Sequence, residues 1–388
     1  MITEIEIEGF KSLEKVRLKL GKLNLFVGAN ASGKSNFFDA LRVIQGIGYG
    51  FTIDEIFNGK PASSTNEIWE GIRGGSSRAA FVRRGVVRPN DAEIKIRLTF
   101  QKSASVPRFD FEIDISPEQG LVLSETLLAG SEELVRHKKA MIMSLATIGE
   151  VATNLDDEMQ PFTQRRRLLH VAFSRGLGNV QKLAPSPATL REYSQYKTVR
   201  RMGEDGENFA ALVQGIIADS KLRDAYLSWL RLLTPVELDD ITILNGALGE
   251  PLFALREAGQ EFPAPVLSDG TLRFAAITAA FFQPDMPGII TIEEIENGIH
   301  PSRLRLLVEL LKSQSSEDGP QVFATTHSPA VLAWLDESDY ETTFFCKRDE
   351  ETGASIIKPL SEIPHLIEIV RKSSISDLFM QGWMEAAL

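Results

Sequence analysis

The segment Gly28-Ala29-Asn30-Ala31-Ser32-Gly33-Lys34-Ser35 has the pattern G-x-x-x-x-G-K-S, and its flanks decide what can be built around it. Before it, Leu23–Val27 is a nearly continuous apolar run, as a strand buried on both faces is. After it, Phe37, Phe38, Leu41 and Ile44 recur at helical spacing, which predicts a helix from about Ser35 to Gln45. Strand, glycine-bearing loop and helix in that order make a phosphate-binding loop. The glycines let backbone amides wrap the phosphates, and the helix N-terminus adds favourable partial charge. Lys34 would then reach the β- and γ-phosphates of a nucleotide, and the Ser35 hydroxyl would ligate Mg²⁺. A loop of this kind sits in an α/β fold with a mostly parallel core sheet, so the rest of the chain must supply further core strands.

Those strands lie far away. Ile2–Ile7, Val16–Leu20, Glu93–Phe100 and Arg108–Ile115 alternate apolar and polar residues, as half-buried antiparallel strands do. Residues 58–78 are rich in Gly, Ser and Asn and read as a surface loop. From about 120 to 235 helical periodicity dominates, as at Phe209–Ile217 and Leu222–Leu233, without a sustained heptad. After about 240, strands and helices alternate, with short apolar strands at Gly288–Ile292 and Gln321–Thr325 and a helix at Arg303–Leu311. The expected arrangement has three parts. Residues 1–118 carry the phosphate loop and antiparallel strands, 119–240 form a mainly helical inserted lobe, and 241–388 return to the α/β core.

Three more segments carry chemistry. Ile289–Ile292 ends in Glu293-Glu294, two carboxylates at the C-terminal end of a buried strand, where α/β sheets hold ligands. One can hold the Mg²⁺ shell while the next orients or deprotonates an attacking water. Leu267-Ser268-Asp269-Gly270-Thr271 precedes a helix, which Ser268 or Asp269 can cap while Gly270 permits close backbone approach. Ala324-Thr325-Thr326-His327-Ser328-Pro329 ends an apolar strand and puts a histidine downstream of the acidic motif, which suits a γ-phosphate contact.

In this order the four motifs resemble the ABC-type ATPases of the RecF/SMC group, and more narrowly the compact AAA-family ATPases related to the OLD proteins. Lys11 in Gly9-Phe10-Lys11-Ser12 matches the basic turn these carry ahead of the loop, and Asn30 fits their variant of the loop itself. The resemblance implies that Asn30, Ala31, Ser32, Gly33, Lys34, Ser35, Asn36 and Lys11 bind ATP. It makes Leu267–Thr271 the signature, Glu296–Pro301 the D-loop and His327 the switch histidine. It further implies a head-to-head homodimer with ATP sandwiched between copies. Each site would join Lys34, Ser35, Glu293, Glu294 and His327 of one subunit to Ser268 and Gly270 of the other. Hydrolysis would loosen the dimer, because the signature helix favours a γ-phosphate only while one is present.

The departures are informative. Glu293 stands where the wider superfamily has Asp, and LSDGT replaces the transporter LSGGQ, which argues against a transporter subunit. The usual Q-loop glutamine has no assigned place: Gln45 is too near the helix after the loop, and Gln101 ends a strand without clear context. After His327 about sixty residues remain, without an acidic cluster resembling a TOPRIM nuclease, so an effector is expected to be a separate protein. The role implied is a nucleic-acid-linked or phage-defence process. Its rivals are a RecF-like repair ATPase and a weakly hydrolysing, ATP-bound oligomerisation scaffold, and assembly beyond a dimer is left open. The net charge of −11 gives no general attraction to nucleic acid. Arg83-Arg84, Arg165-Arg166-Arg167 and Arg200-Arg201 are either solvated, acid-paired faces or contacts to a DNA or RNA backbone. One cysteine, Cys346, excludes an internal disulfide, and no apolar run reaches the ~20 residues of a membrane span, so a cytoplasmic protein is expected.

Overall fold

The structure is a computed structural model that describes residues 1–60, 69–87, 92–101, 108–129, 132–140, 179–195, 198–233, 237–316 and 318–388, with backbone only at 129 and 132–140. In chain order come β1 (Ile2–Phe10), β2 (Leu13–Lys19), β3 (Leu23–Val27), α1 (Lys34–Gly48), α2 (Ile53–Asn58), β4 (Ile94–Phe100), β5 (Phe109–Ser116), β6 (Leu121–Ala129) and β7 (Glu132–Ala140). Then follow β8 (Val180–Leu183), α3 (Pro187–Leu190), α4 (Phe209–Ala218), α5 (Ser220–Leu233), β9 (Leu238–Asn245), β10 (Pro251–Glu257) and β11 (Gln260–Pro263). The later elements are α6 (Asp269–Ala280), β12 (Ile289–Ile292), α7 (Leu304–Gln314), β13 (Gln321–Thr326), α8 (Pro329–Leu332), β14 (Thr343–Arg348) and β15 (Ser355–Pro359). Two compact units result. One joins Met1–Val180 to Asp339–Ile367 and Met384–Leu388, and the other joins Gln181–Ser338 to Glu368–Trp383.

In the first unit, alternation does the work the sequence leads one to expect. Ile5, Ile7, Val16 and Leu18 turn inward from the β1–β2 hairpin, and Ile94, Ile96 and Leu98 from β4. The opposite face carries crossed charges: Arg97 reaches Glu6 on one side and Glu112 on the other. Such cross-strand pairs fix register, because a one-residue slip would bury them. The antiparallel sheet runs β2-β1-β4-β5-β6-β7. A second layer forms where β14 pairs parallel to β3, with β15 antiparallel on β14. Phe26 of β3 lies between Phe37 of α1 at 4.4 Å and Phe344 of β14 at 5.0 Å. Burying each such ring contributes about 1.5–3 kcal/mol, which clamps the loop's strand to its helix.

In the second unit, β12 pairs parallel with β13 from Ile289↔Gln321 to Ile292↔Ala324, and both strands are buried throughout. β9, β10 and β11 form an antiparallel meander. Helix α6 is buried continuously from Leu272 to Ala280, as a helix apolar on all sides must be, and the Tyr226 hydroxyl of α5 donates to its Ala275 carbonyl at 2.9 Å.

Among the described residues of 119–240, strands stand beside the expected helices. Helices α4 and α5 lie where expected, but β6, β7 and β8 occupy part of 119–240. The sequence Glu132–Ala140 has no alternation of its own, and its strand arises by pairing with β6, Leu127 opposite Val135. Residues 141–178, including the Arg165–Arg167 cluster, lie outside the described residues. Among the described residues no helix is long and apolar enough to cross a membrane.

Candidate functional site

The phosphate loop belongs to the first unit. Gly33 precedes α1 with φ 106°, a left-handed conformation, and a Cβ there would fall 1.9 Å from the Ser355 hydroxyl. A Cβ on Gly28 would fall 2.1 Å from the Cys346 carbonyl oxygen. Only glycine fits either place, so the two glycines of the motif are fixed by close approach of β14 and β15. The Lys34 ammonium donates to the Gly28 carbonyl at 2.7 Å and to that of Ala29 at 2.9 Å, closing the loop over itself. Ser32 is buried, and its hydroxyl has no hydrogen-bond partner among the described residues. An unpartnered buried hydroxyl in this loop is a polar atom that a bound phosphate oxygen would satisfy. Asn30 and Ala31 are exposed, and Ala31 has φ 64°.

Other predicted residues of this half are engaged elsewhere. Asn36 donates to the Ser12 hydroxyl at 2.6 Å, and Ser12 in turn shares a 2.6 Å bond with Ser355, so these three tie the loop to β15. Lys11, at φ 50°, holds Asp39 of α1 in an ion pair in which both side chains are 10% exposed. Burial pushes the Lys11 ammonium below its ordinary pKa, against the opposing pull of Asp39. Arg73, which sequence reasoning missed, joins the pair: it donates to Asp39 and, at 2.9 Å, to the Ser35 carbonyl. Its only local signal is the Gly74-Gly75 turn that follows it. Gln45 donates to the Val180 carbonyl at 2.8 Å.

The second unit holds the acidic motif, the signature and the histidine. Glu294 is exposed and has φ 49°, an uncommon conformation for a residue with a Cβ. Four bonds hold it there. Its N–H donates to the Thr325 hydroxyl at 2.9 Å, the next N–H donates to the Thr325 carbonyl at 3.0 Å, and Arg273 donates to the carbonyls of both Glu293 and Glu294 at 3.1 and 3.0 Å. Arg273 is 7% exposed, and its Nε has no partner among the described residues. Burial lowers its pKa, while the charges of Glu294 and Glu296 oppose that shift. Backbone strain kept at a carboxylate after a buried strand makes Glu294 a candidate site residue.

His327 follows β13 at the surface. Its backbone N–H donates to Glu296 at 2.8 Å, and its Nδ1 lies 3.2 Å from the same oxygen. Glu296 therefore orients the histidine, a role the sequence did not expose. Ser268 caps α6, accepting from the Thr271 N–H at 3.1 Å, and it remains exposed. A Cβ on Gly270 would fall 2.6 Å from the Gly298 carbonyl, so the helix start packs directly on the turn after the acidic motif. Asp269 pairs with Arg191, which also donates to the Leu267 carbonyl at 2.9 Å. That pairing accounts for an acid at a position where LSGGQ has glycine.

Two segments of the chain match known families separately. Residues 1–69 match a family described as "AAA ATPase domain". Residues 237–333 match one described as "AAA domain, putative AbiEii toxin, Type IV TA system". A curated relative called "ATP/GTP phosphatase", from Helicobacter pylori, is 22% identical over 380 residues, covering 90% of this chain and 93% of the relative. Among solved structures, an SMC head bound to the C-terminal winged-helix domain of ScpA is similar in fold, with a TM-score of 0.56 at 15% identity. That similarity spans 93% of this chain and 99% of the other.

Proposed function

We propose that the chain is a P-loop ATPase of the ABC/SMC type that works as an ATP-dependent dimer switch, a reading supported by the two ATPase-domain matches, the phosphatase relative and the SMC-head fold. In this reading Lys34 and the amides of Asn30–Ser35, with Asn36 and Lys11 bracing the loop, hold the phosphates of ATP. The Ser35 hydroxyl and the Glu293 carboxylate are hard oxygen donors of the kind Mg²⁺ prefers, and they would hold it. When bound, Mg²⁺ supplies charge neutralisation on the phosphates. Glu294 accepts a proton from water as its oxygen attacks the γ-phosphorus and the bond to the β-phosphate oxygen breaks. His327, held by Glu296, donates to the γ-phosphate.

The observation that carries the switch is the pairing of an exposed and a buried group on one helix. Ser268 opens α6 to solvent, where the signature of one copy could meet a γ-phosphate held by another. Five residues on, buried Arg273 bonds the two carbonyls of the acidic motif. Occupancy at the signature would thus reach the catalytic carboxylate through a single rigid helix. The test mixes two inactive copies. Lys34→Ala chains with Ser268→Arg chains should regain one working site in each mixed dimer, and absence of rescue would argue that the site is not shared.

We further propose that the switch drives a separate effector protein, in phage defence or a related process. The family description that names a toxin of a type IV TA system supports a partnered role. Direct action on DNA is less supported, because the described basic clusters are engaged: Arg83 with Glu14, Arg84 with the Glu350 carbonyl and Arg200 with Asp285. Turnover is expected to be the same with and without DNA or RNA, and a severalfold stimulation would favour the repair reading.

A further inference from the structure

We propose that Lys182 is a built-in counter-ion for Glu293, a positioning residue that sets how readily the acidic motif takes up its divalent cation. This rests on the reading of Glu293 as the metal-associated carboxylate. The Lys182 ammonium lies 2.8 Å from a Glu204 oxygen and 3.8 Å from a Glu293 oxygen, so one cation serves two acids. The frame around it is firm. Gln181, its neighbour in β8, is buried, donates to the Met202 carbonyl at 2.8 Å and accepts from Gln283 at 2.6 Å. Strand alternation then turns Lys182 to the other side of β8. Glu204 is held to the same segment, its carbonyl accepting from the Ala184 N–H at 2.8 Å.

A lone ammonium beside a metal carboxylate would simply compete with the metal. Glu204 changes that, because it offers Lys182 a second partner when Glu293 is claimed. The arrangement is a two-position counter-ion, resting between both acids and moving to Glu204 as the cation arrives. Mg²⁺ sheds its hydration shell reluctantly and binds through few protein groups, so a competing charge at its one carboxylate is felt strongly. The longer reach of Glu293, compared with an aspartate, is what brings it within range of Lys182.

The two acids predict opposite signs for two substitutions, which a merely structural ion pair does not. The measurement is the affinity of the full chain for a non-hydrolysable ATP analogue, by calorimetry, at stepped Mg²⁺ concentrations. Lys182→Met should lower the half-saturating Mg²⁺ about threefold, the size expected for a partly exposed ion pair. Glu204→Gln should raise it about twofold, because Lys182 then has only Glu293 to pair with. Lys182→Arg, which keeps the charge, should stay near the natural chain, and affinity in excess chelator should be equal in all four proteins. Shifts of the same sign, or no shift in either variant, overturn the proposal. If the natural chain itself binds the analogue without regard to Mg²⁺, the metal reading of Glu293 fails first, and this inference with it.

Discussion

The phosphate loop and the acidic motif are both turns at the C-terminal ends of buried strands, yet they are held in different ways. The loop holds itself: Lys34 bonds the carbonyls of Gly28 and Ala29, and its shape needs glycine at two places where neighbouring strands come close. The acidic motif is held by others, with Glu294 kept at φ 49° by Thr325 from β13 and Arg273 from α6. A turn closed largely by its own bonds depends less on what happens around it. A turn braced by distant side chains changes when its braces move, which is the property a switch needs.

The largest effect expected from breaking this contrast lies at the carboxylate. Glu294→Gln should lower ATP turnover by at least about 10²-fold, the usual weight of a general base, while ATP affinity stays within about threefold. With hydrolysis stopped, ATP should hold the chain as a dimer in sedimentation. A variant that turns over normally would remove Glu294 from the chemistry, and one that stays monomeric would remove the dimer switch.

Next comes the brace. Arg273→Met keeps the apolar stem but strips the bonds from two carbonyls. It should cost about 1–3 kcal/mol of unfolding free energy in urea, the penalty for orphaned acceptors. Turnover should fall about tenfold at an unchanged Michaelis constant, because Glu294 is misplaced while the phosphate loop is untouched. Equal loss in affinity and turnover would show that the two motifs are not independently held. On the self-held side, Gly33→Ala forces a Cβ into the Ser355 hydroxyl at a left-handed φ. It should cost about 1–2 kcal/mol and weaken nucleotide binding rather than the chemical step. The pair of variants thus separates the Michaelis constant from the catalytic rate.

The same contrast explains what the sequence made legible. Everything set by local order could be read: the loop, its strand and helix, the strands that alternate, the acidic pair and the Ser268 cap. What could not be read depends on partners distant in sequence. Arg273 looks like one residue in an apolar helix, and nothing nearby tells that it faces the end of β12. Glu296 reads as the tail of an acidic run, and Lys182 lies on β8, a strand in a stretch whose periodicity reads as helical. Lys11 and Asn36 were legible as neighbours of the loop, but their bonds to Asp39 and Ser12 depend on how α1, β2 and β15 pack. The strands β6 and β7 were missed for the same reason, since β7 owes its conformation to pairing and not to its own pattern.

The smallest expected effect is a silence, and it watches the self-held half alone. Cys346 lies on β14 with its carbonyl against Gly28, is 1% exposed, and burial pushes its thiol up to about 12, with Lys34 pulling weakly the other way. At pH 8 the thiolate fraction is then only about 10⁻⁴, so a thiol reagent should fail to label the folded chain. Labelling should appear in urea only as the first unit opens. Arg273→Met, which loosens the acidic motif, should leave that labelling midpoint where Gly33→Ala lowers it. A midpoint shifted equally by both would mean that the phosphate loop leans on the same braces as the carboxylate, and that its apparent self-sufficiency is borrowed.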